Sequence, residues 1–139
     1  MRRLVMVAVM AALITILVAP AEAADRRPDF RVPLSGANEV GGGDPDGTGV
    51  ARVDFTGDQV CFDIQLSGVD DVILAHIHAA PAGVNGPVVI DFMFPENGLD
   101  GCVTADRNLM RAIRRNPAGY YVNVHSVEFP GGAVRGQLG

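Results

Sequence analysis

Turn residues cut this chain into short pieces, and that limits what it can fold into. From Phe30 onward, apolar runs are interrupted about every ten residues by clusters of Gly, Pro, Asp and Asn. With 17 glycines and 9 prolines, few stretches can sustain a helix. Within the runs the period is two. Val60-Cys61-Phe62-Asp63-Ile64-Gln65-Leu66 places Val60, Phe62, Ile64 and Leu66 on one face and its polar residues on the other. The same reading predicts strands over 30–34, 50–55, 60–66, 71–78, 88–92, 120–127 and 133–138. Pro33 marks the first as an edge strand, and Gly57-Asp58 joins the second and third as a hairpin. One segment departs from this pattern. Residues 105–116 lack Gly and Pro, and Leu109, Met110 and Ile113 fall at helical spacing. Thr104 or Asp106 can cap the start, Pro117 ends it, and Arg111, Arg114 and Arg115 sit where the helix dipole favours cations. The expected fold is all-β, an antiparallel β-sandwich with one short helix near 105–116.

The first 24 residues read as a secretory signal peptide. Arg2 and Arg3 precede the apolar run Leu4 to Val18, and Ala21-Glu22-Ala23 is a small-x-small cleavage site. The run is shorter than the roughly 20 residues a membrane-spanning helix needs. Residues 25–139 then form one exported domain, with no membrane span after cleavage. The formal charge is −5, and losing Arg2, Arg3 and Glu22 makes the remainder more acidic still. Such a domain has no electrostatic reason to bind nucleic acid. An even pair of cysteines in an exported chain, Cys61 and Cys102, predicts a disulfide. The bridge would stabilise the fold by roughly 4 kcal/mol in the chain-entropy account.

Only three histidines occur: His76, His78 and His125. On a strand His76 and His78 share a face, as do Tyr121, Asn123 and His125 on another. If the two strands are neighbours, three imidazoles converge. One reading is a Cu or Zn site with three protein ligands and an open position, supported by Asn123, Tyr121 or Glu128. The other is a structural cluster whose imidazoles hydrogen-bond the backbone of glycine-rich loops. Nitrogens within roughly 3–4 Å of one another would fit the first. Other motifs carry less. Asp44-Pro45-Asp46-Gly47 reads as a turn rather than a calcium loop. Ser126 adjoins His125 but faces the other way on a strand, so no Ser–His nucleophile forms. Glu39 and Arg135 are read as an ion pair between terminal strands.

Three blocks carry a resemblance to a known family. Leu34-Ser35-Gly36-Ala37-Asn38-Glu39-Val40 resembles the opening of the CHRD domain. Ala75-His76-Ile77-His78, followed by Gly83 and Gly86-Pro87-Val88-Val89, resembles its A-H-I-H core. Tyr120 to His125, then Phe129-Pro130-Gly131-Gly132-Ala133-Val134-Arg135-Gly136-Gln137-Leu138, resembles its ending. The match is collinear over nearly all of residues 25–139. Ala79-Ala80-Pro81 departs from the family pattern. The resemblance implies an extracellular all-β binding module with no assigned catalytic activity, acting on an extracellular protein or a metal ion. A second similarity runs to the copper site of Cu/Zn superoxide dismutases, and reaches His76, His78 and His125 only. It implies an immunoglobulin-like or superoxide-dismutase-like sandwich. A fourth, bridging histidine is absent, so the binuclear site cannot form. The alternative function is a small exported metalloprotein with Cu or Zn on the three histidines and redox chemistry there.

Overall fold

The structure is a computed structural model that describes residues 29–96 and 98–139. The signal-peptide expectation for 1–24 falls outside these residues. Eight antiparallel strands follow in chain order: β1 (Phe30–Ser35), β2 (Thr48–Thr56), β3 (Gln59–Ser67), β4 (Val72–Ala79), β5 (Val88–Asp91), β6 (Asp100–Thr104), β7 (Tyr120–Ser126) and β8 (Val134–Gln137). Among the described residues one α-helix, α1 (Arg107–Arg115), lies between β6 and β7. The strands pair in the order β5-β4-β7-β8-β1-β2-β3-β6.

This sheet folds over on itself. Its midpoint is the weakest ladder, a single bridge between Ser35 of β1 and Arg135 of β8. Each half turns its apolar face inward. Ile77, Val122, Val124 and Val134 come from one half, and Val32, Val53, Val60 and Phe62 from the other. Phe62 of β3 and Phe92, just past β5, stack with ring centroids 4.2 Å apart, so the two ends of the strand order meet across the core. The antiparallel all-β expectation holds, and α1 closes the core with Met110 and Ile113. Asp106 caps α1, its carboxylate accepting from Asn108 and Leu109 N–H. Arg114 turns back over the Phe55 ring and pairs with Asp29.

Two expectations need correction. β1 is not an edge strand, because β8 and β2 flank it. Pro33 is tolerated because its missing N–H, on the same side of the strand as its carbonyl, falls toward β8, where the ladder is almost absent. A β-carbon on Gly136 would lie 2.1 Å from that oxygen, so glycine is required there. And β6 has no counterpart among the strands that the sequence pattern predicts. Five residues with one valine and one glycine give no periodic signal. β6 exists because it pairs in register along β3 from Gln59↔Thr104 to Asp63↔Asp100. That register sets Cys61 opposite Cys102, with Cα atoms 4.0 Å apart and sulfurs at 2.05 Å.

Candidate metal centre

Strands β4, β7 and β8 carry a second side-chain layer on the face turned away from the core. Strand alternation puts His76 and His78 of β4, Tyr121, Asn123 and His125 of β7, and Arg135 and Gln137 of β8 on that face. Ladder register then sets His76 opposite Asn123, His78 opposite Tyr121, and Asn123 opposite Arg135. An outer sheet face is usually solvated, yet Tyr121 through Ser126 are all buried. The cover comes from three loops, 36–47, 80–87 and 127–133, bound to this layer by hydrogen bonds.

Arg135 anchors much of that cover. Only 1 % exposed, it donates from Nη2 to the carbonyls of Pro81 and Val84 and to Gln137 Oε1. Its guanidinium lies 3.4 Å from the Tyr121 ring centroid. Gln137 donates to the carbonyls of Ala80, Ala118 and Tyr120. Glu39 reaches Asn123, whose amide donates to Glu39 Oε1. The anticipated Arg135–Glu39 ion pair is therefore not a direct one, because carbonyls hold the guanidinium and Asn123 holds the carboxylate. Burial pushes the Glu39 carboxyl above its ordinary range, opposed by the charge of Arg135 and by the Asn123 bond.

The three histidines lie within this covered layer, each 9 % exposed or less. Ring centroids are 5.5 Å apart for His76–His78, 5.2 Å for His76–His125 and 6.3 Å for His78–His125. His78 stacks on Tyr121, nearly parallel at 4.8 Å. Each imidazole turns one nitrogen outward. His78 Nδ1 lies 2.9 Å from the Gly86 carbonyl, and His125 Nδ1 lies 2.9 Å from the Pro130 carbonyl. A carbonyl only accepts, so both Nδ1 atoms carry the proton and both Nε2 atoms keep a lone pair. His76 Nε2 is 3.9 Å from Asp91 Oδ1. The nitrogens left over are His76 Nδ1, His78 Nε2 and His125 Nε2, all buried and without a hydrogen-bond partner in the protein. One ligand nitrogen from each histidine lies within 4.8 Å of the others. That span is wider than the 3–4 Å expected from the sequence. A metal bonded to all three at about 2 Å requires side-chain rotations that draw the rings together.

The structure brings the three imidazoles together, which both sequence readings require. The imidazoles do bind loop backbone, as a structural cluster would, but each does so through one nitrogen. Of the anticipated supporting residues, Tyr121 stacks on His78, Asn123 serves Glu39, and Glu128 is exposed. The partners that matter are the Gly86 and Pro130 carbonyls and Asp91. Asp91 was legible as the polar end of the Val88-Val89-Ile90 run, but carbonyl partners leave no mark in a sequence. The remaining motifs behave as turns and fold elements. Asp44 Oδ1 accepts the Asp46 N–H in an ordinary turn, and Ser126 Oγ accepts the Phe129 N–H. Among the described residues no helix is long and apolar enough to cross a membrane.

Burial lowers the affinity of all three imidazoles for protons. The Asp91 charge opposes this at His76, while the other two histidines reinforce it; the Gly86 and Pro130 carbonyls oppose it at His78 and His125. The ordinary value is 6.5. Between that and the lower folded values the unfolded chain binds more protons than the folded one, so stability falls as pH falls. The metal-free domain is expected to lose resistance to urea as pH falls from neutral through 6.5 and below. A variant with all three histidines replaced is expected to show a flatter profile over that range. Equal slopes for the two proteins would contradict the burial effect.

The fold and the site define a class: a small antiparallel β-sandwich with three convergent imidazoles under a cover of loops. The family model described as CHRD domain matches residues 30–138, and the chain belongs to the CHRD domain family. Neither the curated proteins nor the solved structures include a match to it.

Proposed function

We propose that this CHRD domain is an exported metal-binding module that holds one copper or zinc ion on His76, His78 and His125. The observation that carries the reading is the set of three buried ring nitrogens with no partner, on rings whose ligand atoms lie within 4.8 Å of one another, while the opposite nitrogens of His78 and His125 are held by loop carbonyls. A buried polar atom without a partner is costly, and three in one place form a donor set. Neutral imidazoles suit Cu and Zn, and three of them leave a coordination position open. The bound ion would supply Lewis acidity or, for copper, one-electron chemistry. The chain would supply three imidazoles shielded from bulk water, with the tautomers of His78 and His125 fixed by loop carbonyls. Both cysteines sit in the disulfide, so no thiolate competes for the ion. Export is supported by the signal-peptide pattern of residues 1–24 and by that disulfide.

The test is a titration of the metal-free chain, residues 25–139, with Cu(II) and separately with Zn(II), followed by calorimetry and by competition with a chelator. One equivalent per chain is expected, with copper held more tightly than zinc, and with protons competing as pH falls. A chain that takes up neither ion under these conditions is not a metal module.

A further inference from the structure

We infer that Asp91 selects which nitrogen of His76 meets the metal, acting as the positioning residue for the one imidazole that the loops leave unpinned. The inference rests on the metal reading above. His78 and His125 each have a backbone carbonyl 2.9 Å from the nitrogen facing away from the cluster. His76 has no carbonyl there. Its outward nitrogen, Nε2, faces the Asp91 carboxylate at 3.9 Å. Asp91 is directly opposite His76 in the β4–β5 ladder, the last residue of the edge strand, and so on the same face. A bulge between Ile77 and His78 shifts this ladder by one residue, setting His78 against Val88 rather than Val89. Asp91 Oδ1 also accepts the Met93 N–H at 2.7 Å, which fixes the carboxylate at the strand end.

A carboxylate accepts and never donates when ionised. It therefore favours the His76 tautomer with hydrogen on Nε2 and the lone pair on Nδ1, the atom left buried without a partner. The ligand set becomes Nδ1 of His76 with Nε2 of His78 and His125. Asp91 differs from the two carbonyls in carrying a full charge, which also makes the imidazole a stronger donor. At 3.9 Å the pair is beyond hydrogen-bond reach, so Asp91 acts on His76 through its charge, with or without the ion.

The test compares wild-type, Asp91→Asn and Asp91→Ala chains for Cu(II) and Zn(II) affinity, with ¹⁵N NMR of the histidine rings before and after Zn(II). Asp91→Asn keeps an oxygen for the Met93 N–H, so it reads the charge without freeing the strand end. Expected affinities are about tenfold lower for Asp91→Asn and up to about 100-fold lower for Asp91→Ala. In the metal-free wild type His76 should carry its proton on Nε2, and in Asp91→Ala it should shift toward Nδ1. Unchanged affinity in both variants, or zinc bound to His76 through Nε2, overturns the role of Asp91 while leaving the metal site standing. A wild-type chain that binds neither ion overturns the site and this role together.

Discussion

Replacing His78 and His125 together by alanine is expected to weaken Cu(II) or Zn(II) binding by about ten-thousand-fold. The magnitude follows from roughly 10–16 kcal/mol for a four-ligand protein zinc site, or about 3 kcal/mol per ligand. At 1.4 kcal/mol per tenfold, each lost imidazole costs on the order of 100-fold. The pair is chosen because Gly86 and Pro130 hold both rings in the tautomer that frees Nε2. The same bonds give the double variant a cost in stability, because each carbonyl loses its donor. His76→Ala separates the two effects. His76 holds no loop carbonyl, so its loss should cost about 100-fold in affinity with the covering loops still in place. Chelator competition measures the affinities, and urea unfolding of the metal-free proteins measures the fold. Affinity within threefold of wild type in the double variant would show that these nitrogens hold no ion.

Arg135→Met should destabilise the domain by roughly 5 kcal/mol, enough to unfold a marginal one. Its guanidinium is the donor for two loop carbonyls and for Gln137 Oε1. Bonds from a charged donor contribute about 1.5–3 kcal/mol each. Methionine fills much of the volume, but it removes the guanidinium bonds to the Pro81 and Val84 carbonyls and the contact with Tyr121. Arg135 has no carboxylate in direct contact, so the usual relief from deleting a buried ion pair does not apply. Lysine should recover only part of the loss, because an ammonium cannot reproduce the planar fork over the ring. Urea unfolding at neutral pH reads the difference. Because the 80–87 loop also carries Gly86, a folded Arg135→Met chain should bind metal more weakly than wild type. A loss below about 1 kcal/mol would mean that the loop is held by other contacts.

Much of this molecule was readable before any coordinates. The hairpin at Gly57-Asp58, the inward face of β3, the helix ended by Pro117 and the shared face of His76 and His78 all follow from local rules. Strand alternation is a property of the backbone, so it survives whatever the strand later packs against. The failures share a cause. β6 has no pattern of its own and depends on β3 for its register. Pro33 suggested an edge, yet β1 is flanked on both sides because its ladder to β8 is a single bridge. The Glu39–Arg135 pair followed from charge alone, and lost to neutral acceptors that geometry brought closer.

The sequence by itself determined which residue types were available for a site, and on which side of their strands they would stand: three imidazoles, no free thiol, and a period of two. Only the tertiary structure decided that β4 and β7 are neighbours, that three loops cover their outer face, and that carbonyls of Gly86 and Pro130 leave the Nε2 atoms of His78 and His125 free. The reason is physical. The face of a side chain is fixed by local backbone geometry, but a lone pair is directed by its hydrogen-bond partner, and here those partners are carbonyls brought in by loop closure.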